Sequence, residues 1–438
     1  MKAFAIAALA TAAAGNLVAE TYYVSTKGKA RGANGSKSAP YKDIQKAAEG
    51  AQPGDTICVA EGNYFGPQDS GTIKIKVAVN LQGGWSEDFS ERDVNKHRTF
   101  IQPSAASSAT SDNSGTLILD LDRSGSKGKT MTVDGFIIDR GYSNAYSTNK
   151  GIVDGVKGGL LSPASVPAQG GPNFESKIQT RESPAIKLDY SQANVVIKNC
   201  AFINIPDYAI LGGLRANADA TIENNVFVNV RMAVCEVYGT DNNRFSKVNF
   251  KNNTVLFVWS RKSDLVDMGY GFRMMTKTDT VVENNIFGCC VGTAVNRSRV
   301  DSTKAQEDKR IDALNGNVFF LNRGADFDYA VSPNIKKIHA AEIEEVDESL
   351  LEEVDGNQAM TDPAVFKGKI NVAYLTGFMH LQSSTDIDMN SFTLFGDSLT
   401  KGAYKGSTTV SMFANRYPWE EALALFGAVG GKGAQAIK

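Results

Sequence analysis

The chain has little histidine, little proline and almost no net charge. Its 438 residues include 3 His, 12 Pro and 3 Trp, and 46 Lys and Arg set against 48 Asp and Glu leave −2. A balance so near neutral carries no broad basic surface, so nucleic acid is not an expected partner. His97, His339 and His380 all lie outside the repeated stretch described below, which removes imidazole chemistry from it. No Cys-x-x-Cys pair and no Cys/His cluster occurs, so a thiolate metal site is not expected. Five cysteines is an odd number for an exported chain. Cys289 and Cys290 are adjacent and cannot bridge without strain. The set reads as small buried hydrophobes, with pairing of Cys58 left open.

Long apolar runs are also missing after the first residues, so no membrane span is expected. The start itself, a basic residue followed by Phe4-Ala5-Ile6-Ala7-Ala8-Leu9-Ala10 and then small residues to about Ala19, has the pattern of a secretory signal peptide over 1–19. The expected location is secreted, extracellular or on the outer cell surface.

What is present is a repeat. Val196-Ile197-Lys198-Asn199-Cys200-Ala201-Phe202 returns as Thr221-Ile222-Glu223-Asn224-Asn225-Val226-Phe227. It returns again at Val248–Val255, at Val281–Phe287 and at Asp312–Phe319. Aligned on residues 202, 227, 255, 287 and 319, the unit recurs at the spacing of a solenoid. Each copy is an alternating apolar strand, an Asn corner and a second strand. Asn tolerates the left-handed backbone that a sharp corner needs, and stacked Asn amides can hydrogen-bond from coil to coil. Gly316 stands where the fifth copy would have Asn, for the same backbone reason. A third strand precedes each corner, at Ala185–Tyr190, Tyr208–Gly212, Ala233–Tyr238, Gly271–Met275 and Thr293–Asn296. Three strands per turn make a parallel β-helix. An antiparallel sandwich would explain the alternation but not the recurring corner.

These repeats resemble the right-handed parallel β-helix proteins of the pectin-lyase-like superfamily. So do Tyr22-Tyr23-Val24-Ser25, the run Ser36–Ala47 and the run Gln52–Tyr64 near the start. The resemblance covers about residues 21–325. It implies an all-β solenoid, secreted, of a kind that hosts lyases, hydrolases, adhesins and structural pieces. The expected organisation is a β-helix over 20–325, begun by a helical cap at Pro40–Gly50, and an irregular C-terminal region over 326–438. Ala341–Asp355 reads as an acidic helical stretch with a solvated face. Tyr417–Ala428 reads as a cap on the last coil or as a docking segment for another chain, which would allow self-association. Gly141–Thr180 reads as long loops leaving the solenoid.

In β-helix lyases and hydrolases the substrate lies along the outward side chains of one strand stack. Placing Ile186, Ile210, Cys235, Phe272 and Val295 inward turns Lys187, Asp189, Leu211, Glu236, Tyr238, Arg273, Met275 and Asn296 outward. Coils lie about 4.8 Å apart, so Glu236 and Arg273 are expected neighbours, with Lys187 two rungs from Glu236. Lys187, Glu236 and Arg273 are the catalytic candidates. The resemblance implies a uronate lyase scheme in which a cation neutralises the carboxylate, a Lys or Arg takes the α-proton and an acid assists departure. A line of opposite charges is equally a stabilising ladder of cross-strand pairs. Asp189, Arg215, Tyr238, Trp259, Arg261 and Arg297 are the candidate glycan contacts. Arg297 is expected to leave its strand and stay outside because of its charge, and Trp259 to offer either a stacking face or a core residue. No cofactor is expected. Asp264 and Asp267 supply two oxygen ligands for Ca²⁺, short of a full site. Two functions stay open: binding or cleaving a polysaccharide, with acidic glycans the best fit for cleavage, and a non-catalytic surface or assembly role.

Overall fold

The computed structural model of the chain describes residues 19–437 apart from 67–71, 103–118, 123–125, 140–183, 206, 216–217, 260–267, 299–308, 332–333, 347 and most of 361–416. The signal peptide expected over 1–19 lies outside the described residues but for its last position, and so do the loops expected over Gly141–Thr180.

The described chain winds into three long sheets of nine, ten and nine strands. Each coil contributes one strand to each in turn. One coil is Ile186–Ser191, Asn194–Lys198 and Ala201–Ile205, and the next is Ile210–Leu214, Ala220–Glu223 and Val226–Arg231. These positions define the first, second and third sheet. Every strand pair in the stack is parallel until the last strand of the first sheet, Asn334–Ile338, which returns antiparallel to Ala325–Val331. That strand is exposed along most of its length and carries Lys336 and Lys337. A charged antiparallel edge discourages further strand addition there.

The core follows from the alternation. Phe202, Phe227, Val255, Phe287 and Phe319 fall in one register row of the third sheet. Phe202 and Phe227 stack with centroids 4.7 Å apart, and Phe287 and Phe319 with 5.7 Å. Phe250, from the second sheet, fills the gap at Val255 by touching both Phe227 and Phe287. Aromatic volume therefore stays constant along the axis although the row has one small member.

The two Asn residues of each corner do different work. Asn199, Asn224, Asn252, Asn284 and Gly316 have φ between +52° and +62°, which makes the bend. The residues after them form a buried ladder. Asn225 Nδ2 donates to Asn253 Oδ1 (3.1 Å), Asn253 to Asn285 (3.2 Å), Asn285 to Asn317 (2.9 Å) and Asn317 to Asn357 (3.0 Å). Cys200 starts this row, its backbone N–H donating to Asn225 Oδ1 at 2.9 Å. The row ends on Glu344, which accepts from the Asn357 backbone N–H at 2.9 Å. The ladder thus runs one coil past the last copy read from the sequence.

Coils also continue past residue 325, through Ala325–Val331, Glu353–Asp355 and Gln358–Ala359. The acidic stretch expected to be helical is a short 3₁₀ turn, Ala340–Glu345, followed by a strand. Its apolar residues Ile343, Val346 and Leu351 turn inward over the end of the core. At the other end Ile44–Gly50 is a helix N-capped by Asp43, with Ile44, Ala47 and Ala48 buried against the first coils.

All five cysteines are buried and unpaired. Burial pushes the Cys58 thiol up to about 11 and the Cys200 thiol up to about 12. They behave as apolar residues, not nucleophiles.

Candidate functional site on the first sheet

The outward row of the first sheet carries the charged side chains. Backbone register links Lys74, Asp120, Lys187, Leu211, Glu236, Arg273, Asn296 and Asp328 from coil to coil. Glu236 and Arg273 are direct neighbours, as their spacing predicts. Arg273 Nη1 donates to Glu236 Oε2 at 2.5 Å, and its Nε donates to Asn296 Oδ1 at 3.0 Å. The guanidinium also lies 4.9 Å from the centroid of Tyr270. Asn296 in turn donates to Asp328, which accepts from Thr293 Oγ1 at 2.7 Å through its other oxygen. Burial raises the Asp328 carboxyl above the usual carboxylate range, against the hydrogen bonds from Thr293 and Asn296 that lower it. Four consecutive coils are therefore joined by one polar chain. An arginine held on both sides and stacked on a ring is an anchor; a guanidinium does not lose its proton in a protein. Lys187 stands apart from this chain. Leu211 separates it from Glu236, and its ammonium is 3.9 Å from Asp189.

A second cluster sits beside this row, where strict alternation fails. The register slips between Leu188 and Ser191, and Tyr190 has φ +55°. The bulge turns Tyr190 out, at 36% exposure, and Ser191 in. Tyr190 meets Tyr238 edge to face, with centroids 6.2 Å apart, and their hydroxyls are 3.5 Å apart. Gly213 lies between the rings; a Cβ there would come within 2.9 Å of Tyr238 and 3.0 Å of Tyr190. Arg215 places its guanidinium 5.3 Å from the Tyr190 centroid. Past Arg215 opens a polar cleft of about 520 Å³, lined among others by Lys127, Gln192, Thr240 and Asp241. Asp241 turns one oxygen to the backbone N–H of Asn243 and Arg244. An aromatic pair with Arg215 at its edge can stack a sugar ring, and the cleft beyond, with Lys127 and Arg215 in its lining, can hold an anionic group.

Two sequence candidates lie elsewhere. Trp259 is fully buried and its Nε1 donates to Asn229 Oδ1 at 2.9 Å, so it offers no stacking face. It closes a second Asn row, in which Asn229 Nδ2 donates to Asn204 Oδ1 at 2.8 Å. Arg297 also departs from expectation. It remains within its strand, Thr293–Arg297, and is 4% exposed. Its charge is tolerated inside because Asp312, itself fully buried, accepts from its Nε at 2.9 Å. Arg261, Asp264 and Asp267 lie outside the described residues. Tyr190, Gln192, Lys127 and Asp328 were not singled out from the sequence. For Tyr190 a signal existed: Gly212-Gly213 on the next strand leaves space that only a neighbouring ring can fill.

With three parallel sheets, one strand of each per coil, and an Asn ladder at a shared corner, the architecture is decided. The fold is a parallel β-helix. A family described as a protein of unknown function (DUF1565) matches residues 26–105. Among solved structures the chain is similar to pectate lyase Pel9A, at 14% identity over 72% of this chain and 80% of that one, with a TM-score of 0.32. It is similar to a rhamnogalacturonan lyase at 11% identity, over 72% and 77% of the two chains, with a TM-score of 0.34. A pectin methylesterase, PemA from Erwinia chrysanthemi, gives 11% identity over 78% and 92%, with a TM-score of 0.34. No curated protein matches the chain. Among the described residues no helix is long and apolar enough to cross a membrane.

Proposed function

We propose that this is a secreted or cell-surface β-helix protein that binds a polysaccharide across the first sheet, with an acidic glycan as the best fit. The observation that carries the reading is the exposed Tyr190–Tyr238 pair with Arg215 at the mouth of the cleft. Lys127 and Arg215 on the rim favour a carboxylate-bearing sugar over a neutral one. Lys187 and Asp189 extend the surface toward earlier coils. In this reading the Ile44–Gly50 helix caps the first coil, which a solenoid needs to cover its open core. Binding is favoured over cleavage because Arg273 and Glu236 satisfy each other.

The test is affinity electrophoresis of the mature chain, about residues 20–438, through a panel of acidic and neutral polysaccharides with and without Ca²⁺. Retention that falls about tenfold in Tyr238→Ala, a loss near 1.4 kcal/mol, supports the reading. Absence of retention on every glycan sinks it. Reducing ends and the absorbance of unsaturated uronate are followed in the same samples. New unsaturated ends that vanish in Arg273→Ala would make the protein a lyase. A non-catalytic rod is the second reading, favoured by the closed Glu236–Arg273–Asn296–Asp328 chain, which looks after its own polar groups.

A further inference from the structure

The C-terminal segment runs along the side of the solenoid, not over the last coil. Its helix Trp419–Leu423 and the buried Tyr417, Ala422, Leu425 and Ala434 pack on the outer face of the third sheet. The Tyr417 backbone N–H donates to Asn204 Oδ1 at 2.7 Å, and its carbonyl accepts from Asn204 Nδ2 at 3.0 Å. The last residues then cross the coils one after another. Lys432 Nζ donates to the Gly316 carbonyl at 2.6 Å, the Gly433 N–H to the Asn284 carbonyl at 2.8 Å and the Ala434 N–H to Thr254 Oγ1 at 2.9 Å. The Gln435 N–H donates to Asn224 Oδ1 at 2.6 Å, and Asn95 Nδ2 donates to the Ile437 carbonyl at 2.9 Å. As the tail number rises, the coil it touches falls from the fifth copy of the repeat back to the first coils.

We propose that this corner groove also accepts the C-terminal segment of a second copy of the chain, so that two copies link by exchanging segments. Three observations support it. The groove and the segment are complementary at single-atom scale: a Cβ on Gly433 would lie 2.5 Å from Thr254 Oγ1 and 2.7 Å from Ile286 Cδ1. That fit selects this tail over an unrelated peptide. The hydrogen bonds that seat the segment on the coils reach partners more than a hundred positions away, so nothing local decides which copy supplies it. Residues 376–416 separate the segment from Leu375, and a chain of that length reaches at most roughly 150 Å, enough to span to a neighbouring copy. The contacts are the same in either arrangement, which is the condition for exchange. What opposes it is the tether, which sets a local concentration on the order of mM. Exchange is therefore expected only as the protein approaches that density, as on a crowded surface.

The experiment is the mass of the full chain in solution, by sedimentation, over a rising concentration series, alongside Gly433→Val. A mass that climbs toward two chains near the mM range and stays at one chain in Gly433→Val is the expected result. One chain at every concentration overturns the proposal, and so does a pair that Gly433→Val leaves intact. A second reading does not depend on that variant folding. One batch carries Asn224→Cys, another Gln435→Cys, and the two are mixed at high concentration. A disulfide joining the two different chains is expected, since the native cysteines are all buried. Its absence, when a chain bearing both substitutions closes the bond within itself, overturns the exchange.

Discussion

Replacing Asn253 with Leu tests whether the corner ladder is a structural necessity or an ornament of the repeat. Asn253 is fully buried, and Leu shares its branching at the γ position, although its methyl groups are bulkier than the amide and ask for some repacking. Its Oδ1 accepts from the Asn225 backbone N–H at 2.9 Å, and its Nδ2 donates to the Ile222 carbonyl at 2.9 Å. Neighbouring side chains keep partners in the variant: Asn225 Nδ2 still reaches the Ile197 carbonyl, and Asn285 Oδ1 still receives the residue-253 N–H. The Asn225 N–H loses its acceptor and the Ile222 carbonyl loses a donor. Each buried group left unmet costs about 1–3 kcal/mol. The apolar side chain returns about 1–2 kcal/mol through burial. The net loss is about 2–3 kcal/mol. Solenoids unfold by coils, so a single global transition is a poor reporter. Amide hydrogen exchange at Asn225 and its neighbours is the better assay, and at 1.4 kcal/mol per decade it should quicken by roughly a hundredfold. Asn252→Gly is the control. That position needs φ +52°, which Gly adopts freely, as Gly316 does at +62° in a later coil. It should change stability by less than about 0.5 kcal/mol. Unchanged protection at Asn225 in Asn253→Leu would refute the ladder argument.

Other outcomes follow from the same geometry. Arg297→Met leaves Asp312 charged and buried, with Arg310 as a more distant partner at 4.0 Å, and should destabilise by about 3–5 kcal/mol in urea melts. Phe227→Ala removes the ring stacked on Phe202 from a site with no exposure and should cost about 3–5 kcal/mol by the same measurement. Gly213→Ala pushes the two tyrosines apart without touching the core, and should weaken glycan retention about tenfold in affinity electrophoresis while leaving thermal stability unchanged. His97 sits between Glu61 and Glu91, at 3.1 and 2.9 Å, with Lys96 beside them. Burial pulls its imidazole down, but the hydrogen bonds to Glu91 and Glu61 outweigh that and hold it above its ordinary value. A raised folded value means that the contribution is complete below about pH 6.5 and fades as pH rises above that, through the higher folded value. The difference in thermal midpoint between the native chain and His97→Gln should therefore shrink from pH 6 toward alkaline pH.

The parallel β-helix, its corner and the inward register were legible because they are local and periodic. A period of two sets which side chains face inward, and a recurring Asn marks each left-handed bend, so one chain suffices to read both. Glu236 beside Arg273 followed from that register alone. The acidic stretch at 341–355 misled because apolar spacing in a short segment fits a helix and a 3₁₀ turn followed by a strand equally well. Arg297 misled for another reason, and the same reason decides Trp259, which the sequence leaves open between a stacking face and a core place. Whether an outward tryptophan is wet depends on what covers it, and here Asn229 and the C-terminal segment are contributed by distant parts of the chain. Whether a charge can lie inside depends on a partner, and Asp312 comes from a different sheet. The Tyr190–Tyr238 wall needed a bulge that breaks alternation by one residue; Gly212-Gly213 on the next strand marks the space for the ring, but the bulge itself is a slip in register between coils. The side-on path of residues 417–437 rests on hydrogen bonds to residues up to 342 positions away. Period and propensity act over a few residues; burial, pairing and docking act between elements that only the folded coil brings together.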